Sequence, residues 1–129
     1  MPTLWPLRKD RPCIEVLLPR PKRSVIRRLL ADSGAGSLSS VVQLVFRDRD
    51  CVKTGGPVIG KVKLGGAYAG EYPVYLVEVR IPSLNFRDFV PAAGVSRVPD
   101  GFDGIACFRF LNRFHYGNFA DVHKFGLGQ

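Results

Sequence analysis

Apolar and polar positions alternate along this chain in short stretches, and almost none follows the helical repeat. Cys13–Leu18 mixes alternation with an apolar end and predicts a strand. Ser24–Leu30 predicts a second, and the turn-prone Pro19-Arg20-Pro21-Lys22 makes the pair a hairpin. Ser37–Phe46 fits two readings: Ser37 capping a short helix, or Val41–Phe46 as a buried strand. Arg47–Thr54 is polar and reads as a loop. In Val58–Leu64, Val58, Gly60, Val62 and Leu64 share one parity, with Lys61 and Lys63 on the other. Tyr72–Ile81 returns as a strand rich in Val, Tyr and Ile. Between them Gly65, Gly66, Ala67, Tyr68, Ala69 and Gly70 form a small-residue tip, so the two strands predict a long hairpin. Phe86–Val90 reads as a short strand, Gly104–Phe114 as a strand running into a short helix, and Phe119–Leu127 as a weak closing strand.

The expectation is therefore a mainly β domain with one or two small helices. At 129 residues the chain predicts a single domain, 1–129. Residues 1–11, which mix Trp5, prolines and charges, read as an extended or flexible N-terminal arm. That start has no signal-peptide apolar core, and no run of about 18 apolar residues offers a spanning helix, so neither secretion nor a membrane partner is indicated.

Charge and cysteines narrow the chemistry. Nineteen Lys and Arg against eleven Asp and Glu give a net charge of +8. The cations gather at Arg8–Arg11, Arg20–Arg23, Arg27–Arg28 and Arg47–Arg49, which reads first as a solvated basic face, with a patch for nucleic acid as the lesser alternative. No zinc-finger or helix-turn-helix pattern accompanies them. Cys13, Cys51 and Cys107 are odd in number and widely spaced, without C-x-x-C. They read as free thiols of a reducing compartment, which points to the cytoplasm, and no metal site or cofactor is indicated. A Cys–His pair with His115 or His123 stays open, because such pairs meet only in space.

The stretch that carries chemistry is Leu29-Leu30-Ala31-Asp32-Ser33-Gly34-Ala35. A strand delivers one carboxylate into a tight turn, where Ser33 can bond backbone and Gly34 permits close approach. The plainer reading is a turn in which Asp32 caps the next segment. Gly34-Ala35-Gly36-Ser37-Leu38-Ser39 approaches a dinucleotide fingerprint, but Ser39 replaces its third glycine and no βαβ pattern follows. The serine-hydrolase elbow Gly-x-Ser-x-Gly is absent.

Together, the Asp32-Ser33-Gly34-Ala35 turn after a hairpin, the tip Gly65–Gly70 and the late run Asp103-Gly104-Ile105-Ala106-Cys107-Phe108-Arg109-Phe110-Leu111 resemble the retropepsin-like aspartic proteases in order and spacing. That resemblance implies a small closed-barrel fold with one short C-terminal helix, built as a homodimer. It implies Asp32 as the catalytic residue, Ser33, Gly34 and Ala35 as the active-site turn, and residues 65–70 as a substrate-binding flap. Ile105, Ala106 and Cys107 become the segment behind the site. The family's glycine is replaced here by Cys107 and its Asp or Asn by Arg109. The pepsin-like relatives carry two such turns in one long chain, and these 129 residues carry one. Two chains would therefore meet at Asp32, where adjacent carboxylates share a proton. The implied function is an aspartic endopeptidase acting on extended peptides. The alternative is an inactive peptide-binding or dimerisation module of the same fold.

Overall fold

Side-chain alternation closes a barrel. The computed structural model describes residues Met1–Gln129. Its strands are β1 (Thr3–Pro6), β2 (Cys13–Leu18), β3 (Val25–Asp32), β4 (Leu44–Arg47), β5 (Val58–Leu64), β6 (Gly70–Ile81), β7 (Phe86–Val95), β8 (Gly104–Cys107), β9 (His115–Gly117) and β10 (Lys124–Gly128). Two short helices, α1 (Asp48–Thr54) and α2 (Phe108–Leu111), follow β4 and β8. The main sheet runs β2-β3-β8-β4-β7-β6-β5, and a pairing of Leu17 with Arg80 joins β2 back to β6. Six strands thus form a ring, with β5 attached outside it as half of a hairpin. A second sheet, β1-β10-β9, packs against β2.

The ring fills with the inward parity of each strand. Ile14, Val16 and Leu18 from β2, Leu29 from β3, Leu44 and Phe46 from β4, and Val77 and Val79 from β6 are fully buried. Phe110 of α2 joins them and packs edge-on against Phe86. Burying each such side chain is worth about 1.5–3 kcal/mol. Gly104 of β8 lies against the Val45 carbonyl of β4, where a Cβ would collide, so this crossing requires glycine.

The mainly β, closed-barrel architecture and the short helix α2 match the expectation. Several boundaries differ. Arg47–Thr54, expected as a loop, is the end of β4 followed by α1. Asp48 and Asp50 occupy the first turn of α1 and Lys53 its last, each suited to the helix dipole, and Gly55 ends it at φ 83°. Polarity misleads here because Asp50 is buried on an ion pair, while Tyr75 donates to Asp48 Oδ1 at 2.6 Å. That hydrogen bond and burial push the Tyr75 phenol up to about 12. No helix starts at Ser37; its N–H donates instead to Ser40 Oγ in a turn, and the strand begins only at Leu44. β7 continues through Pro91 to Val95, since the Pro91 carbonyl still accepts from Gln43 N–H. Phe119 and Ala120 take positive φ in a turn, so the closing strand starts at Lys124, and β9 precedes it unannounced. Residues 1–11 include β1, paired to β10, with Trp5 in the main core.

Candidate active site

β3 ends at Asp32 because the chain turns there on its own hydrogen bonds. Gly34 N–H donates to Asp32 Oδ1 at 3.0 Å and Ala35 N–H to the Asp32 carbonyl at 3.1 Å. A Cβ on Gly34 would stand 3.3 Å from that carboxylate oxygen, a close approach that glycine relieves. Leu29, Leu30 and Ala31 anchor the strand in the core, Asp32 is half-buried, and Ser33 and Gly34 are exposed. A rigid strand thus presents one partly solvated carboxylate at the surface.

β8 supports the turn from behind. Ala31 pairs with Ala106 and Asp32 with Cys107 in parallel register. Phe108 N–H donates to the Ala35 carbonyl at 2.9 Å, and Cys107 N–H to the Gln43 carbonyl at 3.0 Å. Arg109 Nη1 donates to the Ser40 carbonyl at 2.7 Å and so ties the following loop to α2.

Beside the turn lies a cavity of about 510 Å³. Its floor comes from Ala35, Val42, Val45, Ile105 and Cys107, and its cover from Val62, Leu64, Gly65, Gly66 and Tyr68 of the β5–β6 hairpin. Gly66–Tyr68 forms a 3-10 turn at the hairpin tip. Tyr68 is half-buried against the valine cluster of the floor, and burial, with neighbouring Tyr72, pushes its phenol up. The cavity is mainly apolar, with Lys63 as its one charged lining residue.

The structure brings Ala35, Gly65, Gly66, Tyr68, Ile105 and Cys107 together around this space, and Asp32, Ser33 and Gly34 adjoin it through the turn. Ala67, Ala69 and Gly70 sit exposed on the hairpin outside the lining, and Ala106 faces the main core. Val42 and Val45 of the floor were not singled out by the sequence; the apolar run Val41–Phe46 is the signal that contains them.

Burial disfavours ionisation of all three thiols. Burial pushes Cys13 up to about 11 and Cys51 and Cys107 to about 12, with the Asp32 charge adding to the effect on Cys107. All three are free and buried, whereas both histidines are exposed. An activated Cys–His nucleophile is not assembled. No three His, Cys, Asp or Glu side chains gather as a metal site, and no helix is long and apolar enough to cross a membrane.

The fold has a solved counterpart. A retropepsin-like aspartic protease from Rickettsia conorii superimposes with a TM-score of 0.63, covering 98% of this chain and 90% of that one at 14% identity. The chain has a retropepsin-like fold. At that identity the likeness concerns the fold. No family model matches the sequence, and no curated protein matches it either.

Proposed function

We propose that the chain is an aspartic endopeptidase whose working site is built by two copies. The observation that carries this reading is the placement of Asp32: a half-buried carboxylate, fixed by Gly34 N–H, at the edge of an apolar cleft covered by a glycine-tipped hairpin. A single carboxylate cannot serve as acid and base at once. A second Asp32 across a two-fold axis supplies the missing group, and the exposed Ser33 and Gly34 leave the turn open to meet its mate.

One Asp32 carboxylate, ionised, takes a proton from a water held between the pair. The water attacks the peptide carbonyl, which the protonated partner polarises, and a proton then passes to the leaving nitrogen. The substrate lies extended, adding main-chain hydrogen bonds along strand edges, with an apolar side chain in the cavity under Tyr68. Closure of the β5–β6 hairpin excludes bulk water. Three buried free thiols suit a reducing compartment such as the cytoplasm.

Cleavage of a peptide library by wild type and Asp32→Asn, from acidic to neutral pH with a pepstatin-type inhibitor control, tests the reading. Cleavage lost in the variant and blocked by inhibitor supports it. A folded, dimeric wild type that cleaves nothing points instead to a peptide-binding module, the reading favoured by Cys107 at the cavity wall.

A further inference from the structure

β3 joins two unlike ends of the barrel. Asp32 stands at one end; Val25, seven residues earlier and roughly 23 Å away, stands at the other. Val25 borders an open depression of about 460 Å³, whose lining also includes Arg20, Pro21, Lys22, Arg23 and Lys53. Four of those six residues are cations and none is an acid.

The one carboxylate within reach is already taken. Asp50, 2% exposed, accepts Arg20 Nη2 at 2.5 Å, Arg27 Nη2 at 2.9 Å and Arg27 Nε at 2.8 Å. Asp48, the other acid of α1, is bonded to Tyr75 instead. Lys22, Arg23 and Lys53 are exposed and have no carboxylate within ion-pair distance. Arg49, likewise exposed and unpaired, lies four residues before Lys53 on α1 and shares its face. The Nε–H of Arg20 is the one buried side-chain polar atom of the chain without a partner, so donors outnumber acceptors even beneath the surface. Elsewhere the surface is mixed: Lys9, Arg28, Arg47, Lys61, Arg80, Arg87 and Arg113 each face an acid, while Arg8, Arg11, Lys63 and Arg97 are exposed without one. What sets the depression apart is that four cations line one space with no acid among them.

We propose that this depression binds the phosphodiester backbone of duplex nucleic acid, without reading its sequence. Guanidinium forks and ammonium groups match phosphate oxygens, and Asp50 pre-orients Arg20 at the edge. The lining has no aromatic side chain to stack on an unpaired base, so paired strands fit better than single strands. It offers no aromatic anchor for a lipid interface either. The site lies apart from Asp32, and its binding is read without cleavage, so it stands or falls independently of the protease reading.

Anisotropy of a labelled short DNA or RNA duplex, titrated with the full chain at several salt concentrations, tests it. Four phosphate contacts predict a log–log salt slope of about −3 to −4, hence roughly a hundredfold weaker binding at 200 mM than at 50 mM salt. Arg23→Glu with Lys53→Glu, neither touching Asp50, should cut affinity at least about tenfold and reduce the slope by about two. Arg23→Gln with Lys53→Gln should act in the same direction if the reversal unfolds the chain, which circular dichroism detects. The same charge change at Lys63 and Arg97 should leave most of the affinity. Absence of binding, equal losses in both charge-reversed pairs, or tighter binding to anionic lipid vesicles than to the duplex would overturn the proposal.

Discussion

Asp32 and Cys107 stand opposite one another in the parallel pairing of β3 and β8. A thiol thus occupies the wall directly behind the candidate catalytic carboxylate, where the resembling family keeps glycine. Burial first, and the Asp32 charge second, push that thiol up to about 12, so it remains neutral wherever an aspartic protease works. It fills space without adding charge. Cys107→Ala should cost about 1 kcal/mol of stability and leave the shape of the pH–rate profile between pH 4 and 8 unchanged. A profile whose limbs shift in the variant would contradict the neutral-thiol assignment.

Tyr68 ties the hairpin to the floor, half-buried against the cluster that contains Val42, Ile105 and Cys107. Its ring should therefore matter more than its hydroxyl. Tyr68→Phe should keep kcat/KM within about twofold, whereas Tyr68→Ala should lower it about tenfold, equivalent to about 1.4 kcal/mol. Steady-state kinetics on one apolar peptide decides between them, and equal losses in the two variants would assign the role to the hydroxyl instead.

The Arg20–Asp50–Arg27 cluster predicts how stability depends on acid. Burial alone would raise the Asp50 carboxyl, but hydrogen bonds and charge from Arg27, with Arg20, outweigh it and hold the group below its ordinary value. A carboxyl lowered on folding contributes stability that is present above the unfolded value, about 3.9, and is lost as pH falls through the folded one. Asp50→Asn leaves two guanidiniums facing no charge and should cost about 3–5 kcal/mol at neutral pH. The gap from wild type should begin to narrow below about pH 4 and keep shrinking as pH falls further, in urea melts. A gap constant across that range would show that the ion pair contributes nothing.

Sequence reading succeeded where the information was local. Asp32, Ser33 and Gly34 are consecutive, and the turn they form depends on hydrogen bonds among themselves and Ala35. The β5–β6 hairpin was legible because one parity carries Val62 and Leu64 and the other Lys61 and Lys63. It failed where a residue's partner is distant. Asp50 looks like a loop residue until Arg20 and Arg27, 30 and 23 positions away, supply its hydrogen bonds. Val42 and Val45 sit in an apolar run whose pattern does not say which side chains face the cavity. The three residues of β9 are too few to show any period.

The central claim is that each working site needs one Asp32 from each of two chains. Wild type equilibrated with a ninefold excess of folded Asp32→Asn tests it most directly. If chains exchange freely, only about one wild-type chain in ten then finds a wild-type mate, so cleavage per wild-type chain should fall to about a tenth. Cleavage undiminished by the excess, with exchange confirmed by differential labelling, would contradict a shared site.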